Sequence, residues 1–125
     1  MILLDTNYLI RLLVPQSAEA VLIASWFAEI ELCTSSIAWY EFTSGPVDEE
    51  GLLVASSILR DRILPFTADQ ACEASRLWNG TGRSRQRRID AMIAAAAIIA
   101  NAQLATANIE DFKPFLALGL TMAAG

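Results

Sequence analysis

The sequence predicts an α/β domain: a mainly parallel five-stranded sheet with helices on both faces. Three observations carry this. Short apolar runs alternate with helix-length stretches along the whole chain, the order expected of an α/β fold. The strand candidates lack strict apolar–polar alternation, as do strands covered on both sides. Finally, Ile89–Ala102 is apolar on every face and contains four consecutive alanines, so it belongs at the centre, packed close to the sheet.

Met1–Leu4 is a short apolar run ending at Asp5 and reads as a buried first strand. Helical stretches follow over Asn7–Val14, stopped by Pro15, and over Ser17–Glu29, with Ser17 as a cap. Ile30–Thr34 is the second strand. Ser35 or Ser36 caps a helix through Ile37–Thr43 that Gly45-Pro46 ends. Asp48 caps the next, whose first turn holds Glu49 and Glu50 near the positive end of the dipole and which runs to about Arg60. Arg62–Phe66 is a third strand whose proline suits a sheet edge. Thr67 caps a helix over Ala68–Trp78, and Asn79–Gly82 is a loop before the central helix. Gln103–Thr106 and Leu120–Ala123 are the fourth and fifth strands, with a short helix near Glu110–Leu116 between them.

A chain of 125 residues buries roughly two-thirds of its unfolded surface, enough for one domain over 1–125 without staples. It contains no histidine, which excludes Ser-His-Asp and Cys-His nucleophiles, His-liganded zinc and an imidazole base. Cys33 and Cys72 lie among apolar neighbours and read as two buried, reduced thiols, too few for a zinc site. The longest apolar run, Ala91–Ala100, is about half of a membrane span. The N-terminus has an acid by position 5 and no basic stretch before its apolar residues, unlike a signal peptide, so a cytoplasmic protein without membrane segments is expected. The net charge of −5 speaks against coating nucleic acid by electrostatics alone. Yet Arg83, Arg85, Arg87 and Arg88 fall within six residues.

In a parallel sheet, ligands bind beyond the carboxyl ends of the strands. Asp5 follows strand one, Glu41 lies early in the helix after strand two, Asp90 opens the central helix, and Asn108 and Asp111 follow strand four. Topology alone therefore gathers residues far apart in the chain on one edge. Such carboxylates repel without a counter-ion, and oxygen-only ligands suit Mg²⁺ or Mn²⁺. A metal of that kind polarises phosphoryl oxygens and acidifies water without histidine. Each acid also has a plainer explanation: Asp5 and Asp90 as helix caps, Glu41 as a surface acid, Asp111 as a cap or a solvated side chain.

Four segments together resemble the PIN domain, and more narrowly the VapC-type ribonuclease toxins of bacterial type II toxin–antitoxin pairs. They are Ile2-Leu3-Leu4-Asp5-Thr6-Asn7, Glu41-Phe42-Thr43-Ser44-Gly45, Asp90-Ala91-Met92-Ile93-Ala94-Ala95 and Thr106-Ala107-Asn108-Ile109-Glu110-Asp111-Phe112. The third is the most specific. The resemblance implies metal-binding catalytic acids at Asp5, Glu41, Asp90 and Asp111, with Thr6 and Asn108 orienting a carboxylate or water. It further implies Mg²⁺- or Mn²⁺-dependent hydrolysis of RNA phosphodiesters, a homodimer, and a small antitoxin that blocks the site. Members differ in whether the Asn or the Asp of the last segment does the work, and Asp111 ranks above Asn108.

Arg83, Arg85, Arg87 and Arg88 then become candidates for holding RNA phosphates beside Asp90, against a solvated loop or pairing with nearby acids. Trp39 and Tyr40 are candidates for base stacking, against packing in the core or a dimer. Three other functions fit less well. An Asp-nucleophile phosphatase needs a general acid two residues after Asp5, where Asn7 stands. A catalytically idle interaction module does not need the full acid set. A flavodoxin-like nucleotide binder lacks its Gly-rich loop after strand one.

Overall fold

Ile2–Leu4 forms β1 with all three side chains buried. Successive strand residues point to opposite faces, so both sides of the sheet are covered at this strand. The computed structural model describes residues 1–124. The chain continues through α1 (Thr6–Leu12) and α2 (Ala18–Phe27) to β2 (Leu32–Ser35), also buried throughout. Next come α3 (Ser36–Thr43), α4 (Glu49–Leu59) and β3 (Ile63–Leu64). A helix α5 (Ala68–Asn79) leads through a 3-10 turn at Arg85–Arg87 into α6 (Arg88–Ile99) and β4 (Gln103–Ala105). Helix α7 (Ile109–Phe112) and a 3-10 segment over Lys113–Leu118 follow.

The sheet order is β3-β2-β1-β4 and every pairing is parallel, with Ile2 opposite both Leu32 and Gln103. It has four strands rather than the five expected. Leu120–Ala123 meets β4 only through a single parallel bridge, Leu104 to Met122. The reason lies in the length of β4. Gln103 N bonds Met1 O, and Ala105 O accepts from Asp5 N, both toward β1. Leu104 alone turns its N–H and C=O outward, to Thr121 O and Ala123 N.

Local signals set most boundaries. Ser17, Ser35, Asp48 and Thr67 each accept a hydrogen bond from the backbone N–H three residues on, at 3.1, 3.0, 2.8 and 3.1 Å. Three expectations need correction. β3 is cut to two residues, since Pro65 offers no ladder donor. The expected helix near Glu110–Leu116 breaks into α7 and the 3-10 segment, with Pro114 early in the latter. The central helix stops at Ile99, because Asn101 takes a left-handed conformation (φ 54°) and Ala102 N bonds back to Ala97 O at 2.8 Å.

Helix α6 occupies the position its composition demands: Ala91 and Ile93–Ala97 are buried, and it packs mainly on α5. Cys33 is buried and free, and burial pushes its thiol up to about 11, so it is unreactive near neutrality. Cys72 is free but exposed, contrary to expectation: on α5 it is Gln70, Ala74 and Leu77 that point inward. Among the described residues, no helix is long and apolar enough to cross a membrane.

Candidate active site

The carboxyl ends of β1, β2 and β4, with the helices that follow them, form one edge of the domain. Asp5 stands directly after β1 and is buried. It caps α1 through Oδ1, which accepts from Thr6 N at 2.8 Å. Its Oδ2 accepts from Thr106 Oγ1 at 2.7 Å, at the end of the neighbouring strand β4. Asp5 is thus both a cap and a member of the cluster. Thr6 reaches the other way: its Oγ1 donates to Glu41 Oε1 at 2.7 Å, fixing an otherwise exposed carboxylate on α3.

Asp90 is half-buried in the first turn of α6. It is no cap: Arg87 holds that position, without a side-chain cap bond. Asp111 is exposed in the first turn of α7. Asn108 precedes that helix and also makes no side-chain cap bond; its backbone N–H donates to Thr106 Oγ1 at 3.0 Å.

The acids feel one another. Burial first, then the charges of Asp5, Asp111 and Glu41, push the Asp90 carboxyl up to about 6. Asp5 is raised too: burial outweighs the hydrogen bonds from Thr106 and Thr6, and Glu41 and Asp111 add to it. All four expected acids therefore share one neighbourhood. Among the described residues, however, no three acid, cysteine or histidine side chains converge into a ready coordination shell.

A polar pocket of about 280 Å³ opens beside Asp90 and Asp111, lined also by Ser84, Gln86, Arg87 and Glu110. The four arginines separate in role here. Arg87 lines this pocket while donating to Thr81 O. Arg83 and Arg88 lie over the Trp78 ring, at 4.7 and 5.0 Å from its centroid. Arg85 is exposed in the 3-10 turn. Trp39 packs on Phe42 at 5.3 Å, in keeping with a core role, whereas Tyr40 beside Glu41 is exposed.

Two contributors carried no role in the sequence reading. Thr106 braces Asp5, and Asn7 Oδ1 accepts from Ala107 N at 3.0 Å, fastening the turn after β4 to the start of α1. A hydroxyl at the end of a strand beside β1 was the available signal for Thr106. That the Asn7 amide is engaged with backbone also leaves the phosphatase reading without its general acid. The single lysine, Lys113, pairs with Glu110 at 2.7 Å on the surface.

A family model for the PIN domain matches residues 2–113. The chain belongs to the PIN domain family. Solved structures of similar PIN fold include FitAcB from Neisseria gonorrhoeae, with TM-score 0.73, 24% identity, and coverage of 99% of this chain and 97% of that one. A toxin–antitoxin complex from Klebsiella pneumoniae matches with TM-score 0.73 and 24% identity over 90% of this chain and 91% of that one. VapBC2 from Rickettsia felis, bound to a promoter DNA fragment, gives 0.68 and 21% over 98% of each chain. At such identities the likeness is one of fold. No curated protein matches the sequence. Within this PIN domain, the four acids and Thr106 sit where the strand ends of the fold converge.

Proposed function

We propose that this PIN domain is a metal-dependent endoribonuclease and the toxin of a toxin–antitoxin pair. The observation that carries it is the gathering of Asp5, Glu41, Asp90 and Asp111 at one sheet edge, where burial and then the neighbouring acids raise the carboxyl of Asp90. These donors fit a hard divalent cation, Mg²⁺ or Mn²⁺. They are all oxygen, and burial plus mutual repulsion make the charged forms costly without a counter-charge.

Asp5, Glu41, Asp90 and Asp111 would hold the ion. What it supplies when bound is polarisation of a phosphoryl oxygen and acidification of water, chemistry that a chain without histidine otherwise lacks. Thr106 and the Thr6 backbone keep Asp5 in one rotamer, and the Thr6 hydroxyl keeps Glu41 beside it. Asn108 braces Thr106 through its backbone N–H. Arg87, in the pocket wall, is the arginine suited to an RNA phosphate next to Asp90, and the exposed Arg83, Arg85 and Arg88 of the same segment are further candidates for phosphates of the strand.

The partner reading is a cognate small antitoxin covering this edge, with the catalytic chain as a homodimer. The relatives in fold include toxin–antitoxin complexes, and exposed Val21, Leu53 and Ile109 leave apolar surface for protein contacts.

Incubating the purified protein with RNA and Mg²⁺, then mapping new 5′ ends, tests the reading. Cleavage is expected, and Asp5→Asn, Asp90→Asn or a chelator abolishes it while the fold persists. Cleavage by both variants at the wild-type rate would overturn the assignment. A folded protein that binds its partner but neither binds divalent cations nor cuts RNA would instead be an interaction module.

A further inference from the structure

The pocket beside Asp90 and Asp111, at about 280 Å³, is far larger than an ion needs and has room for a single nucleoside. Its Ser84–Arg87 wall is built in advance. Trp78 Nε1 donates to Ser84 O at 2.6 Å, Arg83 and Arg88 flank the same indole, and Arg83 also donates to Asn79 Oδ1 at 2.7 Å. Arg87 is tied to Thr81 O by one nitrogen, which leaves its other N–H groups for a ligand. A wall fixed before binding discriminates by complementarity, with little ordering left to do when the ligand arrives.

We propose that this pocket takes the base next to the cleaved phosphodiester and selects guanine, with Glu110, in its lining, as the selecting residue. The inference rests on the ribonuclease reading above and names which nucleotide that site prefers. A carboxylate only accepts hydrogen bonds, through two oxygens side by side. Guanine alone presents two adjacent donors on its pairing edge, N1–H and the 2-amino group. Adenine and cytosine turn a ring-nitrogen acceptor toward the carboxylate, and uracil offers one donor. Glu110 is free to serve: its side chain is 81% exposed, and its pair with Lys113 is a surface i,i+3 contact of small energy.

Oligouridylate strands carrying one guanosine, inosine, adenosine or cytidine, cut by the full-length protein with Mg²⁺, test this. In parallel, calorimetry on the Asp5→Asn protein compares 5′-GMP with 5′-AMP. Cleavage beside guanosine is expected to be about tenfold faster or more than beside adenosine or cytidine. Inosine, which lacks the 2-amino group, falls between, and GMP binds more tightly than AMP. Glu110→Gln is expected to erase both preferences. Equal cleavage beside all bases, a preference that survives Glu110→Gln, or an equal slowing at every base overturns guanine selection. If no strand is cut yet GMP is still preferred through Glu110, the base pocket stands and the ribonuclease reading falls. If neither cleavage nor preference is seen, both fall.

Discussion

Thr106 Oγ1 donates to Asp5 Oδ2 at 2.7 Å across the β1–β4 pair, joining residues 101 positions apart in the chain. This bond opposes the rise in the Asp5 carboxyl that burial imposes. Thr106→Val keeps the shape and removes the donor, so the Asp5 carboxyl should rise further and one buried oxygen loses its partner. The expected loss is about 1–3 kcal/mol by denaturant unfolding at pH 7, with RNA cleavage reduced and Thr106→Ser restoring both. An unchanged midpoint and activity would remove Thr106 from the site.

Asp90 sets a pH dependence of definite sign. Its folded carboxyl is raised from 3.8 to about 6, so its stabilising contribution is complete below the unfolded value and is lost as pH rises through the folded one. Without divalent cations, the melting temperature should therefore fall as pH climbs from about 4 to above 6. Asp90→Asn flattens this slope and makes the protein more stable than wild type near pH 7, the gap closing near pH 4. Thermal melts across that range decide it. A variant less stable at neutral pH would contradict the cost of holding a buried charge among these acids.

A cation that binds the acid edge of the folded chain stabilises it by mass action. Adding Mg²⁺ or Mn²⁺ at pH 7.5 should raise the melting temperature of the wild type, and a chelator should reverse the shift. Asp5→Asn and Asp90→Asn should respond weakly. Equal shifts in all three proteins would mean binding elsewhere.

The arginines should not be equivalent. Arg87 lines the pocket with Asp90, whereas Arg85 is exposed and is not part of that lining. Arg87→Ala should raise KM for RNA and lower the salt slope of binding by about 0.7 for one lost phosphate contact. Arg85→Ala should change both less. Filter binding across a salt series separates them.

Much of this PIN domain follows from local chemistry. The caps at Ser17, Ser35, Asp48 and Thr67 are contacts within one helical turn, and the alanine-rich run of α6 needs burial wherever the chain takes it. The gathering of Asp5, Glu41, Asp90 and Asp111 also follows from the sequence once the strands are taken as parallel, because chain direction alone puts all strand ends on one edge. Tertiary structure decided what depends on partners distant in the chain. The fifth strand shrank to one bridge because only Leu104 turns its backbone outward. Cys72 faces solvent because other residues of α5 meet the core. Thr106 became the brace of Asp5, and Arg87 the one arginine of its cluster in the pocket. Such pairings are fixed by register and by the path of the loops, to which side-chain type and spacing along the chain are blind.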